Sequence, residues 1–164
     1  MAGKISLSSR MQAVADMATS GNRVADVGCD HGYVPIYLVQ QGRAAHVIAM
    51  DVNAGPLERA RRHVEEAGLL TYITLRLSDG LTNFCAGEAD TLILAGMGGR
   101  LMRRILSREP EKTASFQELI LQPQSEIAEF RFFIEHAGYF IASENMIWEE
   151  GKYYPVIKAI KGNG

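Results

Sequence analysis

Arg23-Val24-Ala25-Asp26-Val27-Gly28-Cys29-Asp30-His31-Gly32-Tyr33 is the stretch that decides the reading of this chain. Its first residues are small and apolar around a single acid, the pattern of a short strand buried on both faces. Gly28 ends the strand in a tight turn, and residues 34–41 follow as a helix that Gly42 closes. Outward from this unit the alternation repeats. Residues 45–50 form a second strand ending at Asp51, and residues 55–68 a helix with Leu57, Ala60 and Val64 on its apolar side. Residues 72–77 form a third strand ending in Ser78-Asp79-Gly80, and residues 90–95 a fourth, followed by Gly96-Met97-Gly98-Gly99 and a helix to about Ser107. Residues 118–122 are a fifth strand stopped by Pro123, and residues 126–137 a helix ended by Gly138. Upstream, Ser8 or Ser9 caps a helix whose Met11, Val14, Ala15 and Ala18 share one face before Gly21-Asn22 stops it. Residues 139–161 read as an antiparallel hairpin around Glu149-Glu150-Gly151-Lys152. The expected fold is α/β: a mostly parallel seven-stranded sheet with a C-terminal antiparallel hairpin and helices on both faces. In such sheets ligands bind at the carboxyl ends of the strands.

Composition agrees. The chain has 164 residues, about one domain's worth, so residues 1–164 are read as a single domain. Hydrophobic residues are 47% and charged residues 22%, enough core and too little charge for disorder. No apolar run approaches a membrane span, and the start lacks a secretory core, so a cytoplasmic protein without membrane contact is expected. The net charge of −2 argues against nucleic-acid binding by bulk electrostatics but leaves room for a local basic patch. Cys29 and Cys85 are the only cysteines and form no C-x-x-C, so neither a disulfide framework nor a metal site is expected.

The first turn then selects a cofactor. A dinucleotide fingerprint requires G-x-G-x-x-G, but Gly28 is followed by Asp30 and Tyr33 at the two later glycine places. A carboxylate there would repel a pyrophosphate, which disfavours NAD and FAD. A cofactor carrying positive charge fits better. S-adenosylmethionine has a sulfonium and an α-ammonium, which Asp26 and Asp30 could face. Asp30 could equally cap the following helix. Asp51 can accept hydrogen bonds from ribose hydroxyls, and Asp79 from an adenine amino group. Three acids at the ends of three consecutive strands make a stronger constellation than any one of them.

The more particular strings carry a resemblance. Residues 26–35, Asp-Val-Gly-Cys-Asp-His-Gly-Tyr-Val-Pro, together with Ala95-Gly96-Met97-Gly98-Gly99 and Leu121-Gln122-Pro123-Gln124, resemble the bacterial tRNA (adenine-N1)-methyltransferase family that modifies adenine 22, called TrmK. Leu7-Ser8-Ser9-Arg10-Met11 and Glu150-Gly151-Lys152-Tyr153-Tyr154 also fit it, so the likeness covers nearly the whole chain. It implies a Rossmann-like class I methyltransferase using S-adenosylmethionine on tRNA. By the same likeness, cofactor contacts are expected from Asp26, Gly28, Cys29, Asp30, His31, Gly32, Asp51, Val52, Asn53, Ser78, Asp79, Gly80, Ala95, Gly96 and Met97. The family usually continues past the hairpin into a helical, coiled-coil-like domain. No such segment follows the hairpin here, so weak RNA binding is expected.

Adenine N1 carries a lone pair and no proton at neutral pH, so attack on a sulfonium methyl needs in-line placement more than a base. Asp30, His31 and Tyr33 are the candidate catalytic residues: Asp30 to favour the cationic product, His31 to orient it or touch substrate, Tyr33 as an aromatic platform. The three glycines of Gly96-Met97-Gly98-Gly99 read as a surface that lets a base lie close to the backbone, or as a plain strand-to-helix turn. Arg100, Arg103 and Arg104 share a helix face at i, i+3, i+4 and, with Arg10, are the RNA-binding candidates; a merely solvated face is the alternative. Two rival functions remain: a cofactor-binding domain inactive without a further RNA-binding domain, and a small-molecule methyltransferase.

Overall fold

The computed structural model describes residues 3–162. In chain order the elements are α1 (Ser9–Met17), β1 (Val24–Val27), α2 (Tyr33–Gln40), β2 (Val47–Asp51), α3 (Ala54–Glu66), β3 (Ile73–Leu77), β4 (Thr91–Met97), α4 (Gly99–Arg108), α5 (Pro110–Thr113), β5 (Glu118–Pro123), α6 (Ile127–Glu135), β6 (Tyr139–Glu149) and β7 (Lys152–Lys161). The strands form one seven-stranded sheet in the order β3-β2-β1-β4-β5-β7-β6. The first five are parallel, and β7 pairs antiparallel with both β5 and β6. The chain moves outward from β1 through β2 to β3, then crosses back to place β4 on β1's other side. That reversal between β1 and β4 is the switch point where such sheets open a crevice.

Alternation along each strand builds two cores. Leu92 and Leu94, with Leu119 and Leu121, pack under Met102 and Leu106 of α4 and Phe130 and Ile134 of α6. Ile93 and Ile120 point the other way, against Val14 and Ala15 of α1, Ile36 and Leu38 of α2, and Ala60 and Val64 of α3. Asp26 shares its parity with Val24, so it faces the α1–α3 layer.

Local signals account for most element ends. The Ser8 hydroxyl accepts the Met11 N–H at 3.3 Å, which makes Ser8 the cap of α1. The hairpin turns at Glu150 (φ 50°) and Gly151 (φ 76°), the paired positive values of a primed turn. Two features differ from the sequence reading. The fourth strand runs on through Gly96 to Met97, with a register shift between Ala95 and Met97 where Met97 pairs with Pro123. The short helix α5 arises where Pro110 restarts the chain after α4. Among the described residues, no helix is long and apolar enough to cross a membrane.

Candidate active site

A cleft of about 490 Å³ opens at the carboxyl ends of β1, β2 and β4, roofed by α1. Its floor is the turn after β1. Gly28 (φ 80°) and Cys29 donate their N–H groups to the Met50 carbonyl at 2.8 and 2.9 Å, which bends the chain over the end of β2. A Cβ on Gly28 would lie 2.6 Å from Met97 Cε, the movable end of a flexible side chain, so it is the positive φ that calls for glycine. Asp30 sits at φ 49°, a conformation that costs a non-glycine residue about 1–3 kcal/mol. The N-cap of α2 is Gly32, and it has no side-chain capping bond, so Asp30 is not a helix cap. Its carboxylate instead lies 3.7 Å from His31 Nε2 and 3.9 Å from the Arg59 guanidinium. Gly32 packs away from the cleft, where a Cβ would meet Ala60 Cβ at 3.1 Å.

Asp26 and Asp51 form the acidic wall. Asp51 accepts the Asp30 N–H on Oδ2 (3.1 Å) and the Asn53 N–H on Oδ1 (3.0 Å). Each oxygen keeps a second lone pair free for a ligand hydroxyl. Asp26 is only 5% exposed, and among the described residues no hydrogen bond reaches its carboxylate. Burial and the neighbouring Asp51 charge push its pKa up to about 7. The same burial and the surrounding acids push the Cys29 thiol upward, so it stays protonated and inert.

The remaining expected cofactor contacts divide. Ala95, Gly96, Met97, Cys29, His31 and Asn53 line the cleft, whereas Val52, Ser78, Asp79 and Gly80 do not. Asp79 turns outward and pairs with Arg108 at 3.0 Å. Ser78 is buried, its hydroxyl donating to the Gly80 carbonyl and accepting the Asn83 N–H. The acid after the third strand thus has a partner on α4 that spacing could not reveal.

Tyr33 stands at the cleft mouth, 40% exposed. Its ring stacks on His31 at 5.3 Å and on His63 at 5.0 Å. His63 Nδ1 is 2.6 Å from the His31 carbonyl. The sequence reading missed His63. Its signal was the i, i+4 spacing from Arg59, which puts both on one edge of α3.

The opposite wall is polar and was also only partly foreseen. The fully buried Gln122 accepts the Gly96 N–H (3.0 Å) and an Arg10 Nη1–H (3.2 Å) on one oxygen. Glu149 accepts from the Arg10 backbone N–H and from its Nε at 3.1 and 3.3 Å, and the guanidinium lies 4.8 Å from the Tyr154 ring centre. These contacts hold the Glu149 carboxyl below its usual range. Arg10 is therefore part of the cleft wall and not of a surface patch. The glycine run resolves too. A Cβ on Gly98 would sit 2.8 Å from Ser125 Oγ, and one on Gly99 2.6 Å from the Ser125 carbonyl oxygen. Those two glycines admit the β5–α6 loop, and only Gly96 (φ 74°) faces the cleft. Arg100, Arg103 and Arg104 are exposed on α4 as their spacing implied. Arg100 pairs with Glu126 at 3.0 Å, and Arg103 lies over Phe133 at 5.2 Å.

Comparison with known proteins places this arrangement. A methyltransferase-domain family model matches residues 7–157. The tRNA (adenine(22)-N(1))-methyltransferase of Bacillus subtilis is 38% identical over 160 residues, covering 98% of this chain and 67% of that protein. A Streptococcus pneumoniae structure in complex with S-adenosyl-L-methionine superposes with a TM-score of 0.93 at 36% identity, covering 97% of this chain and 75% of that one. M. capricolum TrmK in complex with S-adenosyl-homocysteine gives 0.87 at 31% identity, covering 94% and 69%. The chain thus spans roughly two thirds to three quarters of these relatives. With the acid-lined cleft at the switch point of the sheet, these likenesses show that the chain belongs to the methyltransferase-domain family and, within it, to the tRNA (adenine(22)-N1)-methyltransferases.

Proposed function

We propose that this chain binds S-adenosylmethionine in the β1–β2–β4 cleft and methylates N1 of an adenine in tRNA, at position 22 by likeness to its relatives. The observation that carries the reading is the pair of acids on the cleft wall. Asp26 lines the cleft beside Asp51, only 5% exposed, and among the described residues no hydrogen bond engages its carboxylate. A largely desolvated carboxylate beside a second acid is costly to ionise, and a cationic ligand in the cleft offsets that cost. The donor set suits this cofactor and not a dinucleotide, because Asp30 and Tyr33 take the places of pyrophosphate-binding glycines.

When bound, S-adenosylmethionine supplies a methyl group on a sulfonium, whose carbon–sulfur electron pair leaves with sulfur. The chain's residues do the rest. Asp51, held by two backbone N–H groups, is oriented to receive ribose hydroxyls. Asp26 and Asp30 place negative charge towards the ammonium and sulfonium. The base's N1 lone pair forms the new bond, and the positive charge passes to the ring. No proton moves, so the residues here serve placement and charge, which can lower a barrier by roughly 7–11 kcal/mol at best. Tyr33, backed by His31 and His63, presents a ring on which an extruded base can stack. The exposed Arg100, Arg103 and Arg104 face takes tRNA phosphates, and the binding weakens with salt.

The test is methyl transfer from labelled cofactor to a tRNA pool, followed by identification of the modified nucleoside. N1-methyladenosine is expected. Label in a small molecule only, or in a different nucleoside, would overturn the reading.

A further inference from the structure

The segment Leu121-Gln122-Pro123-Gln124 has no role in the cofactor site, yet its last residue, Gln124, lines the cleft. We propose that Gln124 reads the Hoogsteen edge of the target adenine, its amide donating to N7 and accepting from N6. This rests on the proposed N1 methylation of adenine.

Position comes first. The carboxyl ends of the strands lie in the order β2, β1, β4, β5. Adjacent strands are about 4.8 Å apart, so Gln124, next after β5, stands about 14 Å from Asp51 at the end of β2. Cofactor acids occupy one end of the cleft and Gln124 the other. A Cβ built on Gly96 would lie 3.9 Å from both Gln124 Nε2 and Arg10 Nη1. The two side chains thus converge beside the exposed backbone of Gly96, which carries no side chain of its own to keep a base away.

The neighbouring groups are already committed. The Gln122 amide donates to the Pro123 carbonyl and accepts from Gly96 and Arg10. The Gln124 N–H donates to the Met97 carbonyl at 2.8 Å, and the Ser125 carbonyl accepts the Gly99 N–H at 3.0 Å. Backbone bonds on both sides therefore fix where Gln124 starts. Among the described residues no hydrogen bond engages its side-chain amide, although it lines the cleft half-buried. The result is an unused donor–acceptor pair on a fixed backbone.

Chemistry selects the edge. Methylation at N1 leaves the Watson–Crick edge turned towards the sulfonium, so recognition must use N6 and N7. A glutamine amide matches that pair in two parallel bonds. Guanine offers acceptors at both O6 and N7, which leaves the amide oxygen without a donor and discriminates against it. As N1 takes the methyl, positive charge spreads to N6 and its N–H becomes a stronger donor. The bond to the Gln124 oxygen therefore tightens towards the transition state.

The experiment crosses a protein change with a base change. A tRNA carrying adenosine or 7-deazaadenosine at the target position is methylated by the unaltered chain and by Gln124→Ala, with cofactor affinity measured on both. On adenosine, Q124A is expected to lose about ten- to hundredfold in kcat/KM, mostly in kcat, at unchanged cofactor affinity. The unaltered chain is expected to lose about tenfold on 7-deazaadenosine, and Q124A to lose nothing further there. Losses that multiply independently, or an unaffected Q124A, would overturn the assignment. Absence of N1-methyl product from the unaltered chain would overturn the functional reading itself, and this inference with it.

Discussion

Asp26→Asn tests the acidic wall through stability, without any substrate. Burial and Asp51 hold the Asp26 pKa at about 7 in the folded chain, against an ordinary value of 3.8. A raised carboxyl means that the folded chain keeps a proton the unfolded chain has released. The contribution of Asp26 is therefore fully present below about pH 4, falls as pH rises, and levels off above about pH 7. Each pH unit inside that window is worth about 1.4 kcal/mol. From pH 5 to pH 8 the unaltered chain should thus lose about 2–3 kcal/mol that D26N does not lose, since asparagine keeps the shape and has no charge to bury. Guanidinium unfolding of both proteins at several pH values measures this, and titrating groups remote from Asp26 cancel in the difference. Cofactor binding should show the opposite trend. Affinity should fall up to tenfold for each pH unit below 7 as Asp26 protonates, and be weaker and pH-insensitive in D26N. Parallel stability curves would refute the argument, because they would mean that Asp26 ionises in the folded chain as it does in water.

Asp51→Ala should weaken cofactor binding by about 1.5–3 kcal/mol by calorimetry, because a charged acceptor is lost. Unchanged affinity would remove Asp51 from the site. Gly99→Ala should destabilise the fold by about 1–3 kcal/mol in denaturant, since the new methyl would lie 2.6 Å from the Ser125 carbonyl oxygen and 3.2 Å from Phe130 Cβ. With the capping role removed, Asp30→Asn separates two uses of the carboxylate. A lower single-turnover rate at constant cofactor affinity places Asp30 on the developing charge, and weaker affinity at constant rate places it on the bound cofactor.

The residues after β1 show what kind of information a sequence carries. Gly28 could be assigned to a tight turn, and Asp26 and Asp51 to strand ends, because a strand, a turn and a helix each leave a short-range period. The exclusion of a dinucleotide was likewise local, resting on Asp30 and Tyr33 in place of glycines. Asp79 shows what that logic leaves out. It follows β3 as expected, but its carboxylate pairs with Arg108, 29 residues later on α4, and does not line the cleft. Gly98 and Gly99 were ambiguous for a similar reason, since their need for hydrogen at Cα comes from Ser125 across the neighbouring strand end.

By itself, then, the sequence determined the order of elements, the buried strands, the hairpin and the acids at the first two strand ends, all consequences of side-chain period and turn chemistry within a few residues. The tertiary structure decided which side chains meet. Crossing from β3 back to β4 sets β5 beside β4, and the hairpin on β5 then carries Glu149 to Arg10, 139 residues away. That one connection turns Arg10 from a surface candidate into a wall of the cleft, fixes Gln122 against Gly96, and leaves Gln124 free. No local pattern encodes such a meeting, because it depends on strand order, and strand order is settled by how the two faces of the whole sheet bury their apolar residues.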